Sequence, residues 1–215
     1  MRNRFDRQLA DLNKELTDLG MLVEEAIAGA VNVVMKHDLN TAKDIIMEDE
    51  EIDQKEREIE ALCMKMFVQQ QPVARDFRKI TSALKLITDM ERIGDQAADM
   101  CDIVLKTDIR PENIPEEIKT MAAGAIYMVN TAVEAYIENN EALAREVIAY
   151  DERIDSLFVE VKHILTEAIK SNSDTNIDAI DVLMIAKYIE KIGDHAENIA
   201  GWVVYSITGV HADSM

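Results

Sequence analysis

Apolar residues recur along the chain at three- and four-residue spacing, and that rhythm is interrupted at five places. The interruptions are the polar stretch from His37 to Asn40, Pro72, Pro111 with Pro115, Asn139-Asn140, and the stretch from Ser171 to Asn176. Proline has no backbone N–H to donate, and Asn and Ser offer side-chain bonds that compete with the helix, so each is a natural helix end. Six helices are therefore predicted, near 4–36, 40–69, 73–107, 115–137, 141–170 and 176–208. Long helices with short connections fold back on one another as an elongated antiparallel bundle.

The chain also repeats itself. Asp49-Glu50-Glu51-Ile52-Asp53 returns 102 residues later as Asp151-Glu152-Arg153-Ile154-Asp155, with Ala42 and Ile46 matched by Ala144 and Ile148. Glu91-Arg92-Ile93-Gly94-Asp95 returns 99 residues later as Glu190-Lys191-Ile192-Gly193-Asp194. Two motifs in the same order at nearly one offset indicate a duplicated three-helix unit. The predicted fold is all-α, with two tandem antiparallel three-helix bundles over 1–107 and 115–208 and a linker over 108–114.

Composition agrees with long helices and narrows the function. There are 7 Gly and 3 Pro among 215 residues, with 48% hydrophobic, 30% charged and 12 Met, which disfavours sheets and disordered chain. The 23 Lys and Arg stand against 42 Asp and Glu, a net charge of -19 that repels phosphate backbones and anionic lipid. Nucleic acid is thus an unexpected ligand, and cations or basic protein surfaces are expected ones. Cys63 and Cys101 form no CxxC, and no leader or 18-residue apolar run is present, which fits a reduced cytoplasmic protein.

On four helices the apolar seam is broken by a carboxylate. The third runs Ile80, Leu84, Ile87, Glu91, Gly94, and the sixth Ala179, Leu183, Ala186, Glu190, Gly193. Asp49 interrupts the second and Asp151 the fifth. Four residues beyond each seam acid stands another, Asp53, Asp95, Asp155 or Asp194, one turn along on the same side. Like charges at this spacing cost a few tenths of a kcal/mol each, and partly buried carboxylates cost more unless neutralised.

Hairpin counting brings these pairs together. Residue 51 lies 21 positions before Pro72 and residue 93 lies 21 after it, so the two acidic motifs share a level. About a turn near 173, positions 153 and 192 match likewise. The sequence thus predicts Asp49, Asp53, Glu91 and Asp95 in one nest, and Asp151, Asp155, Glu190 and Asp194 in another. Oxygen-only nests suit hard or borderline cations such as magnesium, manganese, iron or zinc. His195 directly follows Asp194 and reads as a surface or capping residue before a ligand.

The paired Glu91-Arg-Ile-Gly-Asp95 and Glu190-Lys-Ile-Gly-Asp194-His195-Ala-Glu-Asn198 motifs resemble those of the PhoU family of phosphate-signalling regulators, as does Pro72-Val-Ala-Arg-Asp-Phe-Arg78, and the likeness spans essentially the whole chain. What the resemblance implies is a cytoplasmic homodimer that negatively regulates the phosphate-starvation response. Its implied partners are the ATPase of the phosphate ABC transporter and a sensor histidine kinase, with contact to the membrane only through them. Multinuclear iron or zinc clusters are implied on Glu91 with Asp95 and on Glu190 with Asp194. Asp99, one turn beyond Asp95, is a further candidate ligand. Its counterpart is Asn198, so the two sites need not hold equal numbers of ions.

Two other readings compete. A ferritin-like carboxylate metalloprotein wants two Glu-x-x-His motifs, and only Glu160-Val-Lys-His163 is present, about two turns from the acidic level. A metal-free helical adaptor would use its acids for solubility alone. No nucleophile with a base, phosphate-cradling glycine loop or redox cysteine pair is apparent, so a non-enzymatic regulator is expected.

Overall fold

The computed structural model describes residues 2–70, 73–171 and 178–211. Its six α-helices are α1 (Arg2–Lys36), α2 (Leu39–Gln70), α3 (Ala74–Lys106), α4 (Glu117–Glu138), α5 (Glu141–Lys170) and α6 (Ala179–Thr208). No strand occurs among the described residues. Each predicted helix is present with its ends within two residues of the prediction, and the fifth matches at both ends; the predicted start of the sixth, 176, lies outside the described residues. Pro72 and most of the 171–176 break lie outside the described residues.

The connections are closed by local chemistry. His37 and Asn139 adopt positive φ to end α1 and α4. Asp38 then accepts from the backbone N–H groups of Asn40 (3.1 Å) and Thr41 (3.2 Å), satisfying two of the unpaired donors at the start of α2. Asn140 does the same for α5, accepting from Ala142 and Leu143.

Each half is a three-helix bundle in which every helix packs on the other two. Both halves bury continuous aliphatic seams: Ile52, Ile59, Ile80, Ile87 and Ile93 in the first, and Val147, Ile154, Val161, Ile185 and Ile192 in the second. The halves are joined along their last helices, α3 against α6, with α1 on α4 as a second contact. α3 and α6 run antiparallel, since Asp89 meets His195, Lys85 lies over the Trp202 ring and Arg78 reaches Gly209. The fully buried Tyr136 donates its hydroxyl to the Lys79 carbonyl at 2.9 Å, tying α4 to α3.

The linker is itself pinned. A short 3-10 turn occupies Pro111–Asn113. The buried Asp178, just before α6, accepts from the Arg110 N–H (3.2 Å) and from Asn113 Nδ2 (2.8 Å), with the Arg110 guanidinium alongside. Burial alone would raise this carboxyl, but the hydrogen bonds from Asn113 and Arg110 outweigh it and hold the carboxyl below its ordinary range.

Candidate metal centre

The seam acids sit at the level that hairpin counting predicts, and a glycine on the facing helix makes their approach fit. A Cβ placed on Gly94 would lie 2.8 Å from Asp49 Oδ1 and 3.0 Å from Ile52 Cδ1. In the second half, a Cβ on Gly193 would lie 3.0 Å from Asp151 Oδ1 and 3.3 Å from Ile154 Cγ2. The glycine of each motif is thus a notch that admits the aspartate of the other motif in its hairpin. The Ile beside it, Ile52 or Ile154, seals the notch from below as part of the core.

Electrostatics in both notches is unfavourable to charge. Burial pushes the Asp49 carboxyl up to about 6, with Asp95, Asp53, Glu91 and Asp99 adding to the rise. Burial likewise lifts Asp151 to about 7, reinforced by Glu197, Asp155, Asp194 and Glu190. Glu91 and Asp194 are also raised, by burial first and by their motif partners Asp95 and Glu190 next. Asp151 Oδ1 is sealed from solvent and accepts no hydrogen bond. An orphaned buried carboxylate oxygen costs several kcal/mol unless it is protonated or meets a cation.

The two halves differ in how tightly the acids converge. Asp151, Asp155 and Asp194 each present an oxygen within 4.8 Å of the others, the one such group among the described residues. In the first half basic side chains draw the carboxylates outward. Arg57 pairs with Asp53 at 2.8 Å, and Arg92 reaches Asp95 at 3.0 Å and Glu91 at 3.4 Å. The residue 102 positions beyond Arg57 is the exposed Val159, which has no charge to offer. Arg153 and Lys191 instead lie over the rings of Tyr150 and Tyr188. Glu190 is turned to Lys187, with which it makes a short ion pair, and so stands beside the aspartate trio without joining it.

Several groups depart from the sequence reading or add to it. A residue adjacent to an acid on a helix points about 100° away, yet the long Arg92 side chain wraps back to both acids of its motif. His195 is neither a cap nor a member of the trio; its Nδ1 lies 2.9 Å from Asp89 Oδ1 across the junction of the halves. Asp99 interacts with the Tyr188 phenol, whose pKa is raised by burial and then by that carboxylate. Glu197 and Glu56, both on the seam rows, join the two electrostatic clusters, and their row position was the available signal. Glu160 and His163, the one Glu-x-x-His pair, both face solvent. Cys63 and Cys101 are buried and their thiols are pushed up to about 12, chiefly by burial, which disfavours the thiolate form.

The donor set fits a cation. Carboxylates only accept, three of them converge, and one of the three, Asp151, has an oxygen with no donor; a hard or borderline ion of charge two or more answers all three conditions.

Known proteins resemble the chain over its whole length. The family model described as "PhoU domain" matches twice, at residues 16–104 and 118–203. A "Phosphate-specific transport system accessory protein PhoU homolog" of Clostridium acetobutylicum is 32% identical over 214 residues, covering 99% of this chain and 98% of that protein. Crystal structures of PhoU from Pseudomonas aeruginosa (TM-score 0.87, 28% identity, 96% of this chain and 100% of that one) and of the phosphate transport system regulatory protein PhoU from Streptococcus pneumoniae (TM-score 0.89, 26% identity, 97% and 99%) share the fold.

Proposed function

The chain belongs to the PhoU family, and from that premise we propose that it is a metal-binding, non-catalytic regulator of phosphate uptake. In this reading it works in the cytoplasm as a homodimer and couples the ATPase of the phosphate ABC transporter to a sensor histidine kinase, keeping the starvation response silent when phosphate is plentiful. Its relatives are named as accessory or regulatory proteins of phosphate transport. No described helix is long and apolar enough to cross a membrane.

The observation that carries the metal part is the convergence of the Asp151, Asp155 and Asp194 carboxylates, together with the sealed, unpartnered Oδ1 of Asp151. Iron or zinc is the expected occupant, with magnesium or manganese next. Asp49, Asp53, Glu91, Asp95 and Asp99 form the candidate first-half site and Glu190 an added donor in the second. Because Arg57 and Arg92 already neutralise part of the first-half cluster, the second-half trio is expected to hold its ion more tightly.

Elemental analysis of untagged protein, together with an anomalous-scattering map, tests this reading. Metal on the trio, lost in Asp155→Asn/Asp194→Asn, is the expected result. Protein that stays metal-free after exposure to iron, zinc, manganese and magnesium refutes it. For the partners, retention of the transporter ATPase and the kinase in a pull-down with purified components is expected, and failure to retain either counts against the coupling role.

A further inference from the structure

Two adjoining cavities, of about 160 and 430 Å³, lie between α1 and α2 and share Leu22, Glu25 and Glu51, so they form one groove. Its floor carries Leu22, Ala26, Ile45 and Ile52, with the half-exposed Met21 at one side, and its inner end reaches α3 at Gly94 and the Asp49 carboxylate of the first-half acidic cluster. Its rim is acidic, from Asp18 and Glu25 on α1 and Glu48, Glu51 and Glu58 on α2. Among the described residues that line it Lys55 is the one cation, and it is already held by Glu15 at 2.6 Å and by Asp18 at 3.8 Å.

The groove does not follow from the repeat. The residues 102 positions beyond Glu48 and Glu51 are Tyr150 and Arg153. There the Tyr150 ring lies 4.9 Å from that of Tyr127, tilted at 50°, and the Arg153 guanidinium lies 5.4 Å from the Tyr150 ring. The corresponding seam of the second half is therefore covered by aromatic rings and carries a positive charge in place of two negative ones.

We infer that the α1–α2 groove is a docking site for a cationic amphipathic helix of a partner protein. An apolar floor between two acidic walls matches a helix with an apolar stripe flanked by Lys and Arg. From Ile45 to Glu58 the groove follows α2 for about 20 Å, the length of a helix of some three to four turns. A methionine at the edge adapts to side chains of differing shape. Charge decides the class of occupant: a second copy, at net charge -19, brings further acid to an acidic rim. This inference adds a surface and a partner chemistry; the groove borders the candidate first-half metal site at Asp49, and its other acids, Asp18, Glu25, Glu48, Glu51 and Glu58, lie outside that site.

The probe is a peptide of about 14 residues made of Leu and Lys, with Leu at the i, i+3, i+4, i+7 positions, titrated against the full chain by fluorescence anisotropy. Binding is expected, weakening about tenfold or more between roughly 50 and 300 mM salt, as screening of opposed charges requires. Glu25→Lys/Glu51→Lys, and separately Met21→Lys, are each expected to weaken it about tenfold or more, while Arg153→Glu in the other half leaves it unchanged. All three altered positions in the groove are exposed, and melting curves check that the fold is kept. Equal binding by a peptide of the same composition with a shuffled order, or undiminished binding by the groove variants, overturns the proposal. So does a groove variant that dissolves a self-dimer on size-exclusion chromatography while its affinity for the peptide stays the same. The titrations are run in chelator, with no ion on Asp49, so a protein that proves metal-free leaves the result standing.

Discussion

Replacing Asp151 with Asn separates the cost of the acidic nest from its use. The carboxyl sits at about 7 against an ordinary 3.8, because burial and the surrounding acids oppose its ionisation. At roughly 1.4 kcal/mol per tenfold, that difference amounts to about 4 kcal/mol of destabilisation above neutrality. The side chain is half-buried, and screening by the adjoining solvent reduces the figure to about 2 kcal/mol. Asn has the same shape and keeps its place against Gly193. In chelator at pH 8, Asp151→Asn is therefore expected to melt about 4–8 °C above the parent.

The pH profile carries the sign. A carboxyl raised in the folded state holds a proton that the unfolded chain has already released, so stability falls as pH rises from about 4 to about 7. The parent protein in chelator should show that fall. Asp151→Asn should keep a smaller fall, due to Asp49, whose carboxyl sits at about 6, and to the raised carboxyls of Glu91, Glu56 and Asp194. With saturating metal the order reverses, because an ion bound only by the folded parent raises its melting point and the variant has lost a ligand. Identical melts of parent and variant in chelator at pH 8 would refute the claim that the nest stores unfavourable charge.

Three further substitutions probe positions away from Asp151. Gly94→Ala is expected to destabilise by about 1–3 kcal/mol in urea titrations despite the better helix former, since its Cβ would press on Asp49 Oδ1 at 2.8 Å and Ile52 Cδ1 at 3.0 Å; Gly201→Ala, which meets nothing within 4 Å, should stabilise by about 0.5–1 kcal/mol. Asp178→Ala removes the acceptor of Asn113 Nδ2 and of the Arg110 N–H, and a loss of about 2–3 kcal/mol on thermal melting is expected for the donors left in a buried site.

Much of the site could be read because its causes are local or repeated. The seam position of Asp49, Glu91, Asp151 and Glu190 follows from helical spacing, and their shared level follows from counting outward from the hairpin turns. Gly94 and Gly193 stand at the crossings because the backbone there admits no Cβ beside a carboxylate oxygen. The inequality of the two nests was not legible in the same way. It depends on how far long side chains reach: Arg57 and Arg92 fold onto acids, whereas Arg153 and Lys191 rest on tyrosine rings.

By itself the sequence determined six helices, their pairing into two like halves and the level of the acids, since backbone hydrogen bonding and hydrophobic period act within a few residues and duplication repeats the result. Tertiary structure alone decided that α3 meets α6, that His195 pairs with Asp89 and not with the acids beside it, and that a groove opens between α1 and α2 but is covered between α4 and α5. Those outcomes turn on rotamers and on contacts between residues a hundred positions apart, where one Tyr or Arg in place of Glu changes which surface closes.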